Sequence, residues 1–168
     1  MDVISMHQAG FTNAVASLGT AFTSQHAGVL KRYTDQVILT YDSDGAGIKA
    51  ALRAIPILRD AGISARVLNM KPYKDPDEFI KNMGADAFKE RIAQAKNSFL
   101  FEIDVLKRKL SVEDPEQKTK FYQETAKKLL QFGEPLERDN YIQAVSREQM
   151  IKEEELRQLV NRLGMQMA

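Results

Sequence analysis

The chain has 168 residues, with 24 lysines and arginines against 23 aspartates and glutamates; the net charge of +1 argues neither for nor against nucleic acid, because a local basic groove can sit inside a neutral total. The absence of cysteine excludes disulfides and cysteine-ligated zinc, and fits a reducing cytoplasm. No apolar run approaches the ~20 residues a membrane-spanning helix needs, and no secretory leader is visible, so a soluble, cytoplasmic protein with no membrane partner is expected.

In chain order, Asp2 to Ala9 carries Val3, Ile4 and Met6 with helical character, and Gly10 supplies a stop. The first ten residues read as the interior of an α/β unit, which suggests a piece of a longer protein. Ala14 to Leu18 predicts a short strand closed by Gly19 and Thr20. Ser24 can then cap a helix reaching about Tyr33, with Ala27, Val29 and Leu30 inward. Gln36 to Tyr41 is the central strand, Ala46 to Asp60 a helix, and Ser64 to Met70 another strand, with a turn at Gly62. This alternation predicts a parallel sheet with right-handed crossovers. Pro56 falls late in its helix and should kink or shorten the final turn.

After Met70 the texture changes. Lys71 to Glu78 is a loop with two prolines, and Phe79 to Gly84 a short capped helix. Beyond Asp86 there is no strand candidate, only apolar residues at helical spacing: Phe99, Ile103, Leu106 and Leu110; Phe121, Leu129 and Leu130; Tyr141, Ile142 and Val145. Breaks at Ser111 to Pro115 and at Gly133-Glu134-Pro135 divide this half into at least three helices, with a last one over roughly Lys152 to Leu163. The aromatic and leucine spacing reads as core, not as a base-stacking platform, which needs exposed aromatics among basic residues. Lys107-Arg108-Lys109 reads as a basic run offsetting a helix dipole.

The chemistry-bearing residues cluster after two strands. Val37-Ile38-Leu39-Thr40-Tyr41 ends in Asp42-Ser43-Asp44-Gly45-Ala46-Gly47, and the next strand is followed by Asp75-Pro76-Asp77. In open α/β sheets ligands gather beyond the carboxyl ends of strands. Residues two apart on extended backbone share a side, so Asp42 and Asp44 can share one cation, while Gly45 and Gly47 admit close approach of backbone and phosphate. Four carboxylates on one rim repel unless a cation compensates, and oxygen-only ligands favour Mg²⁺ or Mn²⁺ over zinc. The same acids also suit a second role, capping the helices that begin near Ala46 and before Phe79. Both roles remain open on spacing alone. Neither the EF-hand pattern nor the dinucleotide GxGxxG fits.

These residues carry a resemblance. The acidic tract after a Val/Ile/Leu strand, with Asp75-Pro76-Asp77 after the following one, is similar to the Toprim fold of bacterial primases, type IA and II topoisomerases and some nucleases. Met1-Asp2-Val3-Ile4 resembles the tail of the primase signature EGYMDV, Ala16-Ser17-Leu18-Gly19-Thr20 with His26 its next block, and Pro135-Leu136-Glu137-Arg138 with Tyr141 its helical subdomain. The match runs nearly end to end and resembles the RNA polymerase domain of bacterial replicative primases of the DnaG family. It implies a Toprim-type parallel sheet flanked by helices over 1–96, lacking its first strand, followed by an all-α helical bundle subdomain over 97–168.

The resemblance further implies that Asp42, Asp44, Asp75 and Asp77 hold divalent metal, with Asp2 a further acid near that site. Mg²⁺ or Mn²⁺, with no zinc here, would serve synthesis of an RNA primer from ribonucleoside triphosphates on a single-stranded DNA template. The replicative helicase would be met through a domain outside these residues, within the cytoplasmic replisome. The family glutamate that would precede Met1, and its strand, are missing from the match, so the isolated chain is expected to be inactive. Lys49 and Lys74 lie nearest the acidic loops and could meet triphosphate or template. His26 could touch phosphate or serve the helix surface, and His7 reads as structural. Two rival readings stand beside this one: a topoisomerase or nuclease built on the same fold, and a non-catalytic module that recruits another replication protein while the acids only cap helices.

Overall fold

The computed structural model describes residues 6, 8–11, 13–15, 22–42 and 44–167. The expected first helix is represented by helical Met6 and Gln8, followed by Gly10 at φ +100°; Asp2, His7 and most of the expected first strand lie outside the described residues. The chain divides into two compact units, Met1–Ser98 and Phe99–Ala168.

The first unit runs α1 (Ser24–Lys31), β1 (Gln36–Leu39), α2 (Gly45–Asp60), β2 (Ser64–Val67), α3 (Pro76–Met83), α4 (Ala85–Ala93) and β3 (Lys96–Asn97). Strands β1 and β2 pair in parallel, from Gln36 opposite Ser64 to Leu39 opposite Val67, as the β-α-β alternation predicts. Strand β3 joins β2 antiparallel, Arg66 opposite Asn97 and Val67 opposite Lys96, giving the sheet order β1-β2-β3. This corrects the expectation that no strand follows Asp86. Two polar residues carry no alternation, and their pairing is set by the sheet edge they meet.

Further corrections concern α1 and α2. The N-cap of α1 is Thr23, not Ser24, and Val29 is exposed while Ala27 is fully buried. Pro56 does not shorten α2, which runs to Asp60. The proline lies on the exposed face, where water can serve the Leu52 carbonyl that its missing N–H leaves unbonded. The core of this unit gathers Met6, Phe11, Leu68, Met70, Phe79, Phe88 and Ala95. Phe88 is its aromatic centre, edge-on to Phe11 at 5.1 Å and tilted against Phe79 at 5.6 Å. Gly84, at φ +87°, turns the chain from α3 into α4, a conformation open to glycine at little cost.

The second unit is helical: α5 (Ser98–Lys109, whose first residue belongs to the preceding unit), α6 (Pro115–Leu129), α7 (Pro135–Gln149) and α8 (Glu153–Met167). The helical apolar spacing is core, as read: Phe99, Ile103, Phe121, Leu129, Ile142 and Val145 are buried together, and Leu106, Leu110, Leu130 and Tyr141 pack against them. Phe132 and Tyr141 stack at 4.0 Å with planes 6° apart. Lys107, Arg108 and Lys109 occupy the last turn of α5, where cations oppose the helix dipole. Arg157 on α8 bonds Asp139 on α7 at 2.8 Å and also Glu153 and Glu154, and the guanidinium's hydrogen bond holds the Asp139 carboxyl below its usual range.

Candidate metal and nucleotide site

The two acidic loops begin side by side. Because β1 and β2 are parallel and end in register at Leu39 and Val67, the segments that follow both leave the sheet at the same edge. A bond from the Leu68 amide to the Leu39 carbonyl, 2.9 Å, carries the pairing one step further.

Asp44 is the N-cap of α2, its Oδ1 accepting from the Gly47 amide at 2.8 Å. Asp75 is the N-cap of α3, its Oδ1 accepting from the Glu78 amide at 2.8 Å, with Pro76 in the first helical position. Glu78 reaches back to accept from the Lys74 amide at 3.0 Å, so this helix start is held from both directions. Each cap uses one carboxylate oxygen. The second oxygen of Asp44 and of Asp75 has no hydrogen-bond partner among the described residues. The capping role is therefore real for these two acids, and it does not consume them.

Asp42 is half-buried, and its backbone is packed hard against α2: a Cβ built on Gly47 would lie 1.8 Å from the Asp42 carbonyl oxygen. Gly47 is thus spent on bringing the loop onto the helix, whereas Gly45 faces open space. Just before the acids, burial pushes the Tyr41 hydroxyl above its ordinary pKa, with Arg53 pulling weakly the other way. Asp77 lies in the first turn of α3 and pairs with Lys81 at 3.0 Å, one turn on. Among the described residues no group of three or more His, Cys, Asp or Glu side chains stands close enough to hold a metal ion. The sheet brings the two loops to one edge; the four carboxylates are not drawn together into a shared cage.

The remaining candidates are exposed or engaged locally. Lys49 and Lys74 are both exposed. His26 closes a capping box with Thr23: its amide donates to Thr23 Oγ1 at 3.2 Å and its Nδ1 accepts from the Thr23 amide at 3.1 Å. That acceptor role leaves Nε2 as the free ring edge. The tract Pro135-Leu136-Glu137-Arg138 starts α7: Glu134 caps it by accepting from the Glu137 amide at 2.7 Å, and Arg138 Nε donates to the Phe132 carbonyl at 2.7 Å.

Sequence reasoning missed Arg91. It lies on α4, donates from Nη1 to the Asn69 carbonyl at 2.6 Å, and places its guanidinium 5.0 Å from the centre of the Phe79 ring. No local motif announces it, because its partners are 22 residues upstream and in another helix.

Comparison with known proteins agrees with this architecture. Residues 1–80 match the Toprim-like family. The chain is 36% identical over 161 residues to a DNA primase of Clostridium acetobutylicum, covering 96% of this chain and 27% of that protein. A similar match, 36% over 160 residues, is to the DNA primase of Listeria innocua, covering 94% of this chain and 26% of the relative. Among solved structures, the E. coli primase catalytic core superimposes with a TM-score of 0.71 at 30% identity, covering 88% of this chain and 48% of that one. A DnaG primase catalytic domain bound to single-stranded DNA gives 0.72 at 28%, covering 92% and 50%. The chain thus spans about a quarter of the length of the curated relatives it matches and about half of the solved cores. These relatives are primases, which does not favour the topoisomerase, nuclease or recruitment-module readings. A parallel β-α-β unit ending in paired acidic helix caps, a following helical unit, and identity to primases over nearly its whole length place this chain in the bacterial DnaG primase family, within the Toprim and helical part of its catalytic core.

Proposed function

We propose that this chain supplies the acidic, metal-binding face of a primase that synthesises short RNA primers on single-stranded DNA from ribonucleoside triphosphates. In this reading residues 1–96 are the Toprim unit and 97–168 the helical subdomain. Asp42 and Asp44 are the catalytic acids, and Asp75, Asp77 and Asp2 complete the ligand set. The observation that carries it is the register of β1 against β2, which sends both acidic loops off the same sheet edge in a chain of primase ancestry.

The donor set fits Mg²⁺ or Mn²⁺, being made of carboxylate oxygens with no cysteine or histidine in the loops. Such an ion, when bound, neutralises triphosphate charge and lowers the pKa of an attacking 3′-hydroxyl. The chain's own part is orientation. Asp44 and Asp75 are each pinned through one oxygen to a backbone amide, so the other is held at a helix N-terminus facing outward from the cap. Lys49 and Lys74 offset phosphate charge, and the Nε2 edge of His26 can donate a hydrogen bond to it. The helicase contact falls elsewhere in the longer protein, which works in the bacterial cytoplasm at the replisome.

Primer synthesis on a single-stranded template tests this. In a protein extended to the full catalytic core, Asp42→Asn and Asp44→Asn each abolish Mg²⁺-dependent synthesis while leaving the melting temperature within a few degrees, since asparagine keeps the side-chain volume and, at position 44, the oxygen that caps α2. The 168-residue chain alone makes no oligoribonucleotide. Undiminished synthesis by either variant contradicts the assignment.

A further inference from the structure

Arg91 touches both ends of the second acidic loop without touching either acid. At the stem it donates from Nη1 to the Asn69 carbonyl, 2.6 Å, two residues beyond β2; Asn69 in turn accepts the Lys71 amide on its side chain at 3.0 Å. At the far end its guanidinium packs on the ring of Phe79, whose side chain is 1% exposed and anchored by Tyr73 and Phe88, each 5.6 Å away. Between these two contacts lie residues 70–78, carrying Asp75, Asp77 and the Glu78-to-Lys74 return bond. A planar fork can bond a carbonyl in its plane while laying its face on an aromatic ring; an ammonium has no face to lay there.

We propose that Arg91 is a positioning residue that fixes the Asp75 and Asp77 loop for ligand binding. Its partners are a carbonyl and a ring, so Arg91 holds the loop without pairing with Asp75 or Asp77; Asp77 is paired with Lys81. The role rests on the metal reading above, and the two separate experimentally.

Amide hydrogen exchange on the 168-residue chain, followed residue by residue, tests the positioning. Arg91→Met keeps an unbranched apolar side chain but removes the guanidinium and every donor; Arg91→Lys keeps a donor but loses the plane. In Arg91→Met, protection of the Glu78 and Lys74 amides falls about tenfold, while the Gly47 amide on the Asp44 cap is unchanged. Arg91→Lys recovers part of that protection. A purely global loss of stability would move all three amides together, and that result, or no change at Glu78 and Lys74 in either variant, overturns the proposal. Line broadening by Mn²⁺ supplies the second arm. In the native chain it reaches amides of both acidic loops, and in Arg91→Met it weakens at residues 75–77 more than at 42–44. Absence of broadening in the native chain overturns the metal reading, whereas equal broadening in native and variant overturns the role of Arg91 alone.

Discussion

Asp44 performs two tasks that substitution can separate. Asparagine caps a helix about as well as aspartate, because the side-chain oxygen that accepts the Gly47 amide is kept, whereas alanine loses the cap at a cost of about 1 kcal/mol. Asp44→Asn should therefore melt near the native temperature and Asp44→Ala measurably below it, with both losing cation binding. Equal stability of the two would mean that the 2.8 Å cap bond contributes nothing. Gly47 admits no such division. A methyl there meets the Asp42 carbonyl at 1.8 Å, so the loop must move off the helix. Gly47→Ala is expected to cost about 2–3 kcal/mol in chemical denaturation; an unchanged midpoint would show that the loop moves freely. The acids and glycines were legible as a constellation, but which glycine was indispensable was not, because Gly45 and Gly47 differ only in what packs behind them.

Helix starts carry local signals, although the sequence predicts a loop through Glu78 and a helix from Phe79 where α3 starts at Pro76. Asp75-Pro76, Asp114-Pro115 and Glu134-Pro135 each place a capping side chain before a proline in the first turn, and each begins a helix there. The sequence predicts the cap of α1 at Ser24; Thr23 takes it because His26 sits three residues on and returns the bond. Strand β3 was not readable, since Lys96 and Asn97 become a strand only by meeting the edge of β2. The turn after α7 shows a different conflict. Met150 is 91% exposed and sits in the left-handed region, φ 56°, where a side chain is disfavoured. The helix stops there because Ile151, buried, bonds back to the Ser146 carbonyl at 3.0 Å. Met150→Gly should raise stability by about 0.5–1 kcal/mol in denaturant titration. A loss instead would show that the methionine makes a stabilising contact.

At the scale of the whole molecule, apolar spacing located the helical core around Phe99, Phe121 and Val145, whereas the packing of Phe79 and Phe88 in the α/β unit joins residues from separate short elements and left no periodic signal. The site was less fully legible. Parallel β-α-β order is enough to send two acidic loops to one edge, yet sequence could not say whether their carboxylates act as caps or as ligands, and Asp44 and Asp75 show that one oxygen of each does the first. Whether the free oxygens of both loops close on one ion is the claim on which the catalytic reading stands. Anomalous scattering from crystals of this chain soaked in Mn²⁺ tests it most directly. The account predicts a peak at about 2.0–2.3 Å from carboxylate oxygens contributed by both the 42/44 and the 75/77 pairs. A peak held by one pair alone, or none at a concentration that supports primer synthesis by the longer enzyme, would contradict it.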